Sequence, residues 1–148
     1  MNWFALIPMR ERSKSIEKKN LKKIFGKPMY EFTIEVALKA GASKIFISTD
    51  IRKVLEKFKS NDKIIAIERK KHLTKDNTRM SEVVYDFLKN SKQLNPIENN
   101  IIALLQPTSP LRRKEDIEIA LNLYKNSNEN LLMSVTKANS KILKYGFV

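Results

Sequence analysis

The chain has 148 residues, 42% hydrophobic and 30% charged, which predicts one globular domain, and no apolar run approaches the ~18 residues of a membrane helix. It has no cysteine, which excludes disulfides and thiolate metal sites, and its single histidine, His72, argues against zinc chemistry. The N-terminus lacks the layout of a signal peptide, so a cytoplasmic location is expected, and a net charge of +13 raises the question of an anionic partner.

Apolar runs and helical periodicities alternate along the chain. Strands are predicted at 3–8, 44–49, 63–67, 101–105 and 131–136. Helices are predicted from Pro28 to Gly41 and at about 51–59, 78–90 and 114–126. The strands are continuous apolar runs, which is typical of strands covered on both faces. The pattern therefore predicts a doubly wound α/β fold, with a mainly parallel sheet and helices on both faces.

The first strand runs directly into a basic segment. From Arg10 to Lys23 there are seven Lys or Arg against two Glu. Ligands of such sheets bind at the carboxyl ends of the strands, so this segment suits a polyanion site, with Ser13 and Asn20 as neutral donors. The alternative is a solvated loop in a protein whose 29 cations are mostly lysine. No glycine precedes Gly26, so the segment is neither a dinucleotide nor a P-loop fingerprint.

Two further loops fall at the same predicted edge. The loop "QPTSPLRR", residues 106–113, offers Gln106, Thr108, Ser109 and Arg112 as donors, and a Gln amide can contact the edge of a base. The alternative is an ordinary turn, because Pro, Thr and Ser favour turns. Asp50 follows the second strand and could approach a metal or a sugar, or could simply cap the next helix.

Three motifs together resemble the acylneuraminate cytidylyltransferases, the CMP–sialic acid synthetase family. "IPMRERSKSIEKKNLKKIFGKPM" resembles the opening motif of the family, "ISTD" its second-strand ending, and "LLQPTSPLR" its third signature. The resemblance covers residues 3–145 and implies a Rossmann-like fold that transfers CMP from CTP to an acidic nonulosonic sugar, with Mg²⁺ screening the charge. It also implies CTP and the acidic sugar as partners, and a homodimer in intact family members. It makes membrane and nucleic-acid partners unexpected.

The resemblance also implies roles for individual residues. Arg10 and Lys19 match catalytic positions. Nucleotide-binding positions are matched by Arg10, Ser13, Lys14, Asn20, Arg69, Asn77, Gln106, Thr108 and Ser109. No metal ligand is matched.

Several positions depart from the family pattern. Glu11, Arg12 and Ser15 replace glycines of the first motif, and Glu17 replaces a proline. Arg113 stands where a Thr or Ser often caps the helix at 114–126, a loss expected to cost ~1 kcal/mol. Residues 1–148 are expected to form a single nucleotide-binding domain that lacks the C-terminal part of the family, in which the acidic metal-binding pair lies.

The sequence leaves alternatives open. One is a nucleotide-binding remnant of the family without transferase activity, and another is a basic module that binds nucleic acid. Sialic, legionaminic and pseudaminic acids all remain open as the acceptor. A synthetase for the eight-carbon keto acid of lipopolysaccharide is less compatible with the opening motif.

Overall fold

The computed structural model describes residues 2–13, 16–90 and 100–135. It contains the strands β1 (Asn2–Pro8), β2 (Lys23–Ile24), β3 (Lys27–Pro28), β4 (Lys44–Thr49), β5 (Ile64–Glu68) and β6 (Asn100–Leu104). The helices are α1 (Met29–Lys39), α2 (Arg52–Lys57), α3 (Met80–Asn90) and α4 (Lys114–Lys125), and short 3₁₀ turns lie at Lys19–Leu21 and Lys71–Thr74. Four of the five predicted strands and all four predicted helices are present, and their boundaries agree with the prediction to within two residues.

Four strands form a parallel sheet in the order β5-β4-β1-β6. In the register, Ile7 lies opposite Ile47 on one side of β1, and Leu6 lies opposite Leu104 on the other side. Residues 5 to 7 of β1 are fully buried. Full burial explains why β1 reads as a continuous apolar run, since both faces of a central parallel strand are covered.

Helices cover both faces of the sheet, which confirms the predicted fold class. On one face, α1, α2 and α4 contribute Ile34, Val54 and Ile117 to a large core together with Ala5 and Ile47. On the other face, Phe87 of α3 packs against Leu6 and Phe46. The Phe46 and Phe87 ring centroids are 5.1 Å apart. Alternate residues of β1 and β4 therefore serve two separate cores.

The strand order creates a topological switch point. The chain passes from β1 through α1 to β4 and through α2 to β5, and it then returns through α3 to β6 on the opposite side of β1. The connections after β1 and β6 consequently diverge at the carboxyl end of the sheet. Ligands of doubly wound sheets bind in the crevice at such a point.

A two-residue hairpin joins β2 to β3, a feature that the sequence did not predict. Its turn residues have φ values of 50° at Phe25 and 80° at Gly26, as in a type I′ turn. Phe25 is 99% exposed at the tip. The hairpin was missed because type I′ turns favour Asn or Asp at the position that Phe25 occupies.

The predicted strand at 131–136 is wrong for residues 131–135, which are neither strand nor helix, and residue 136 lies outside the described residues. Leu131 is 72% exposed and Val135 is 86% exposed. Strand formation depends on packing and burial more than on intrinsic preference. No element of the described residues buries these side chains, so their apolar character alone does not make a strand.

Across the described ranges, none of the helices has the length and apolar character that crossing a bilayer requires.

Candidate functional site

Backbone hydrogen bonds fix the order of the loops along the carboxyl edge of the sheet. The Arg69 N–H donates to the carbonyl of Thr49 at 2.8 Å, and the Met9 N–H donates to that of Ser48 at 3.0 Å. The Leu105 N–H donates to the carbonyl of Leu6 at 2.9 Å. The edge therefore presents, in spatial order, Arg69 after β5, Asp50 after β4, Arg10 after β1 and Gln106 after β6.

Arg69 is a buried cation at this edge, with only 7% of its surface exposed. Its Nε donates to Oγ of Ser48 at 3.2 Å, and its Nη2 donates to the Ser48 carbonyl at 2.8 Å. Burial lowers the pKa of Arg69, the charge of Asp50 raises it, and the charge of Arg10 lowers it. An arginine stays protonated under these conditions, so Arg69 places a fixed positive charge beneath the loop that follows β1.

Arg10 extends from the end of β1 to the segment that follows β5. Its Nη1 lies 2.8 Å from Oδ1 of Asp76 and donates to the carbonyl of Lys75 at 3.0 Å. The Arg10 side chain is 25% exposed and that of Asp76 is 55% exposed. A partly exposed guanidinium held by a more exposed carboxylate can exchange that partner for a phosphate, because both ligands present paired anionic oxygens.

The Arg10–Glu11 peptide group is held from both ends. Its carbonyl oxygen accepts a hydrogen bond from Nδ2 of Asn20 at 3.0 Å, and its N–H donates to Oδ1 of Asp50 at 2.7 Å. Asn20 is buried. The expectation that Asp50 caps α2 is wrong: Ile51 is the N-cap, and the carboxylate of Asp50 turns to the neighbouring loop instead.

Other charges of the basic segment are partly neutralised within it. Lys18 Nζ lies 3.9 Å from Oε1 of Glu11, so the acid at the family's glycine position pairs with Lys18. Lys18 also has a φ of 48°. A lysine thus adopts the left-handed conformation for which phosphate-binding loops normally use glycine. Glu11 and Lys18 line a pocket of about 390 Å³ with Arg12, Ser13, Glu17 and Asp76.

The loop after β6 exposes the side chains of Gln106, Thr108 and Ser109 and buries Pro107. Arg112 supports this loop, because its Nη2 donates to the carbonyl of Gln106 at 3.4 Å. Burial lowers the pKa of Arg112. Its Nη1 is buried without a hydrogen-bond partner among the described residues. Nothing in the sequence beyond the two neighbouring arginines in "PLRR" marked Arg112 as a partly buried residue.

The structure brings most residues named from the sequence to this edge. Arg10, Asn20 and Arg69 lie together, Ser13 and Lys19 lie in the loop after β1, and Asn77 is exposed beside Asp76. Gln106, Thr108 and Ser109 lie across the switch point. Lys14 lies outside the described residues. The roles of these residues stay predictions. The sequence missed the contact of Asp50 with the Glu11 N–H, since no local pattern joins positions 39 residues apart.

The described residues do not form a metal-binding site on their own. In residues 2–13, 16–90 and 100–135, no group of three or more His, Cys, Asp or Glu side chains is placed to hold an ion. Glu11 and Asp76, the acids nearest the basic segment, are each paired with a cation.

A doubly wound sheet with cationic and amide side chains at its switch point is typical of nucleotide-binding α/β domains. A solved CMP:2-keto-3-deoxy-manno-octonic acid synthetase complexed with CTP matches it with a TM-score of 0.64 at 25% identity, over 85% of this chain and 48% of that one. A family model described as Cytidylyltransferase matches residues 4–144. The chain belongs to the cytidylyltransferase family.

Two curated proteins are similar to this chain over most of its length. The CMP-N,N′-diacetyllegionaminic acid synthase of Legionella pneumophila is 29% identical over 133 residues, 89% of this chain and 57% of the relative. The N-acylneuraminate cytidylyltransferase of Streptococcus agalactiae is 30% identical over 140 residues, 93% of this chain and 32% of the relative. The chain thus spans about a third to somewhat over half of the length of these two relatives.

Proposed function

We propose that this protein transfers CMP from CTP to an acidic nonulosonic sugar and releases pyrophosphate. The observation that carries the proposal is the placement of Arg10 and Gln106 on opposite sides of the switch point, with the buried charge of Arg69 beside Arg10. A nucleoside triphosphate needs cations for its phosphates and hydrogen-bonding groups for its base. Family membership and relatives named for CMP-sugar synthesis support the proposal.

In the proposed reaction, the residues of the site mainly position the substrates and neutralise the charge of the phosphates. The anomeric hydroxyl oxygen of the sugar attacks the α-phosphorus, the bond from that phosphorus to the pyrophosphate oxygen breaks, and the hydroxyl proton is released. Arg10 and Lys19 would neutralise the charge that develops on the leaving pyrophosphate. Transfer at phosphorus gains most from such positioning and electrostatic stabilisation and needs no covalent enzyme intermediate.

Base selection is assigned to the loop after β6. Cytosine presents an amino donor beside two acceptors, and the Gln106 side chain offers both an N–H donor and a C=O acceptor. The exposed hydroxyls of Thr108 and Ser109 stand beside it. Adenine presents a different pattern, so the same wall should discriminate against ATP.

Other expectations from the sequence analysis stay predictions. They are Mg²⁺ as the cofactor, a homodimer and a cytoplasmic location. The relatives point to acceptor sugars of the sialic and legionaminic type, without choosing between them.

The test is a calorimetric titration of the full chain with CTP and, in a parallel cell, with ATP. Arg10→Ala should lower CTP affinity about tenfold or more, because it removes charge-assisted hydrogen bonds to phosphate. Gln106→Ala should lower CTP affinity and reduce the preference for CTP over ATP. Lys125→Ala, at the far end of α4, is the control and should leave both titrations unchanged.

Each outcome has a clear meaning. If both variants bind CTP as tightly as the parent does, the site lies elsewhere. If the parent binds CTP but releases no pyrophosphate with any nonulosonic acid, the protein is a nucleotide-binding remnant. If the parent ignores CTP and binds RNA with strong dependence on salt, the basic segment serves nucleic acid instead.

A further inference from the structure

Within the described part of the basic segment, side chains hold the Arg10–Glu11 peptide group at both its donor and its acceptor. The Asn20 amide meets the carbonyl at 3.0 Å, and the Asp50 carboxylate meets the N–H at 2.7 Å. The oxygen and hydrogen of a trans peptide point in opposite directions, so the two side chains approach from opposite sides. Asn20 is 7% exposed, and this burial makes it difficult for water to replace its amide as the hydrogen-bond partner of the carbonyl.

This arrangement opposes rotation of the peptide unit about its neighbouring bonds. A flipped peptide would turn its carbonyl oxygen toward the negative oxygens of Asp50. It would also turn its N–H toward the amide group that now donates from Asn20. The contact with Asp50 would place two acceptor oxygens together, because a carboxylate only accepts hydrogen bonds, and the Asn20 amide would have to turn over before it could accept from the N–H. The side chains therefore select one of the two peptide orientations.

Selecting this orientation matters because of what the peptide connects. Arg10 lies two residues beyond the end of β1, so the two hydrogen bonds at the peptide that follows it fix the position of the Arg10 Cα, from which the side chain extends. Glu11 occupies the position of a family glycine and lacks the backbone freedom of glycine. A loop of this composition cannot adjust around a bound phosphate as a glycine-rich loop does, so its conformation has to be set in advance.

We propose that Asp50 and Asn20 are positioning residues that lock the Arg10–Glu11 peptide and so hold the Arg10 guanidinium in place to receive the phosphates of the nucleotide. The proposal rests on the proposed CTP site and adds the means by which that site keeps its shape without glycines. In this role Asp50 acts without contacting the nucleotide. Its contribution acts through the backbone of a different element, the loop after β1.

The experiment uses four single variants and one double variant of the full chain, and two measurements. The first measurement is hydrogen exchange at the Glu11 amide, which reports the Asp50 contact directly and requires no ligand. The second is the titration with CTP. Asp50→Ala removes the acceptor, whereas Asp50→Asn keeps an acceptor oxygen and removes the charge. Asn20→Ala removes the other partner of the peptide. Asp62→Ala deletes an exposed carboxylate in the loop before β5 and is the matched control.

In Asp50→Ala, the Glu11 amide should lose its protection, and CTP affinity should fall about tenfold. Asp50→Asn should keep most of the protection and bind CTP within about threefold of the parent. In a double-mutant cycle, Asn20→Ala combined with Asp50→Ala should cost less than the sum of the single changes, because both side chains hold one peptide. Asp62→Ala should match the parent in both measurements.

Three results would overturn the proposal. Asp50→Asn could behave like Asp50→Ala, in which case the charge of Asp50 beside Arg69 is what matters. Exchange at Glu11 could rise in Asp50→Ala without any change in CTP affinity, in which case the locked peptide has no part in binding. Alternatively, the parent could fail to bind CTP while Glu11 remains protected, which would refute the nucleotide site and leave the Asp50 contact as a structural feature only.

Discussion

At the scale of single residues, the described chain places two non-glycine residues in the left-handed region, Lys18 and Phe25. Both lie between β1 and α1, in the segment that resembles the opening motif of the family. For an L-residue this conformation costs roughly 1–2 kcal/mol. The fold therefore carries local strain between β1 and α1, and the cost of that strain can be measured at Phe25.

Replacing Phe25 with Asn should stabilise the protein by about 0.5–1 kcal/mol, because Asn tolerates positive φ and favours type I′ turns. Little burial is lost, since Phe25 is 99% exposed. The measurement is the urea midpoint, with an unchanged slope. Tyr85→Asn is the control: Tyr85 is 65% exposed on α3, where Asn offers no backbone advantage. A Phe25→Asn protein less stable than the parent would show that the ring makes contacts that offset the strain.

At the scale of elements, α4 begins without the Ser or Thr cap that its family often has, and the expected penalty is reduced by a substitute. The Arg113 backbone N–H donates to Oδ2 of Asp116 at 2.9 Å, and its guanidinium Nη2 donates to Oδ1 at 3.1 Å. The backbone hydrogen bond from Arg113 and then its side-chain hydrogen bond lower the pKa of Asp116. The carboxylate of Asp116, at the third helical position, thus accepts hydrogen bonds from both the backbone N–H and the guanidinium of the residue that precedes the helix.

The lowered pKa makes the contribution of Asp116 dependent on pH. A carboxyl whose pKa is lower in the folded state stabilises that state above its unfolded pKa of about 3.9, and this stabilisation is lost as pH falls through the folded pKa. Asp116→Asn should therefore be less stable than the parent at pH 7, and the difference should disappear under acid conditions. Denaturation of both proteins across this range is the measurement. A difference that persists when Asp116 is protonated would contradict the assignment.

At the scale of the whole molecule, the sequence predicted the parallel sheet and its two helical layers well. A strand that is buried on both faces appears in the sequence as a continuous apolar run, as from Ala5 to Ile7. The prediction failed at 131–135, where apolar side chains lie exposed, because a pattern cannot reveal whether a covering element exists. In the site, family motifs indicated Arg10 and Gln106, but no motif linked Asp50 to Glu11, since that contact depends on the neighbouring order of β1 and β4.

The central position of β1 also has a kinetic consequence. Phe4 lies opposite Lys44, whereas Asn2 lies opposite Asn100, so pairing with β6 closes a loop more than twice as long. Each doubling of loop length costs about 0.6 kcal/mol in closure entropy. We expect β6 to join the folding sheet last and to detach first.

Native-state hydrogen exchange should then show faster sub-global opening for amides of β6 than for those of β4. Equal protection of the two strands would refute this folding order. Gln106 follows β6 and Arg10 follows β1. A nucleotide that contacts both residues would therefore bridge β1 and β6, the strand pair that is expected to separate first. Ligand binding would in that case slow hydrogen exchange in β6 more than in β4, because the nucleotide would stabilise the pairing of β6 with β1.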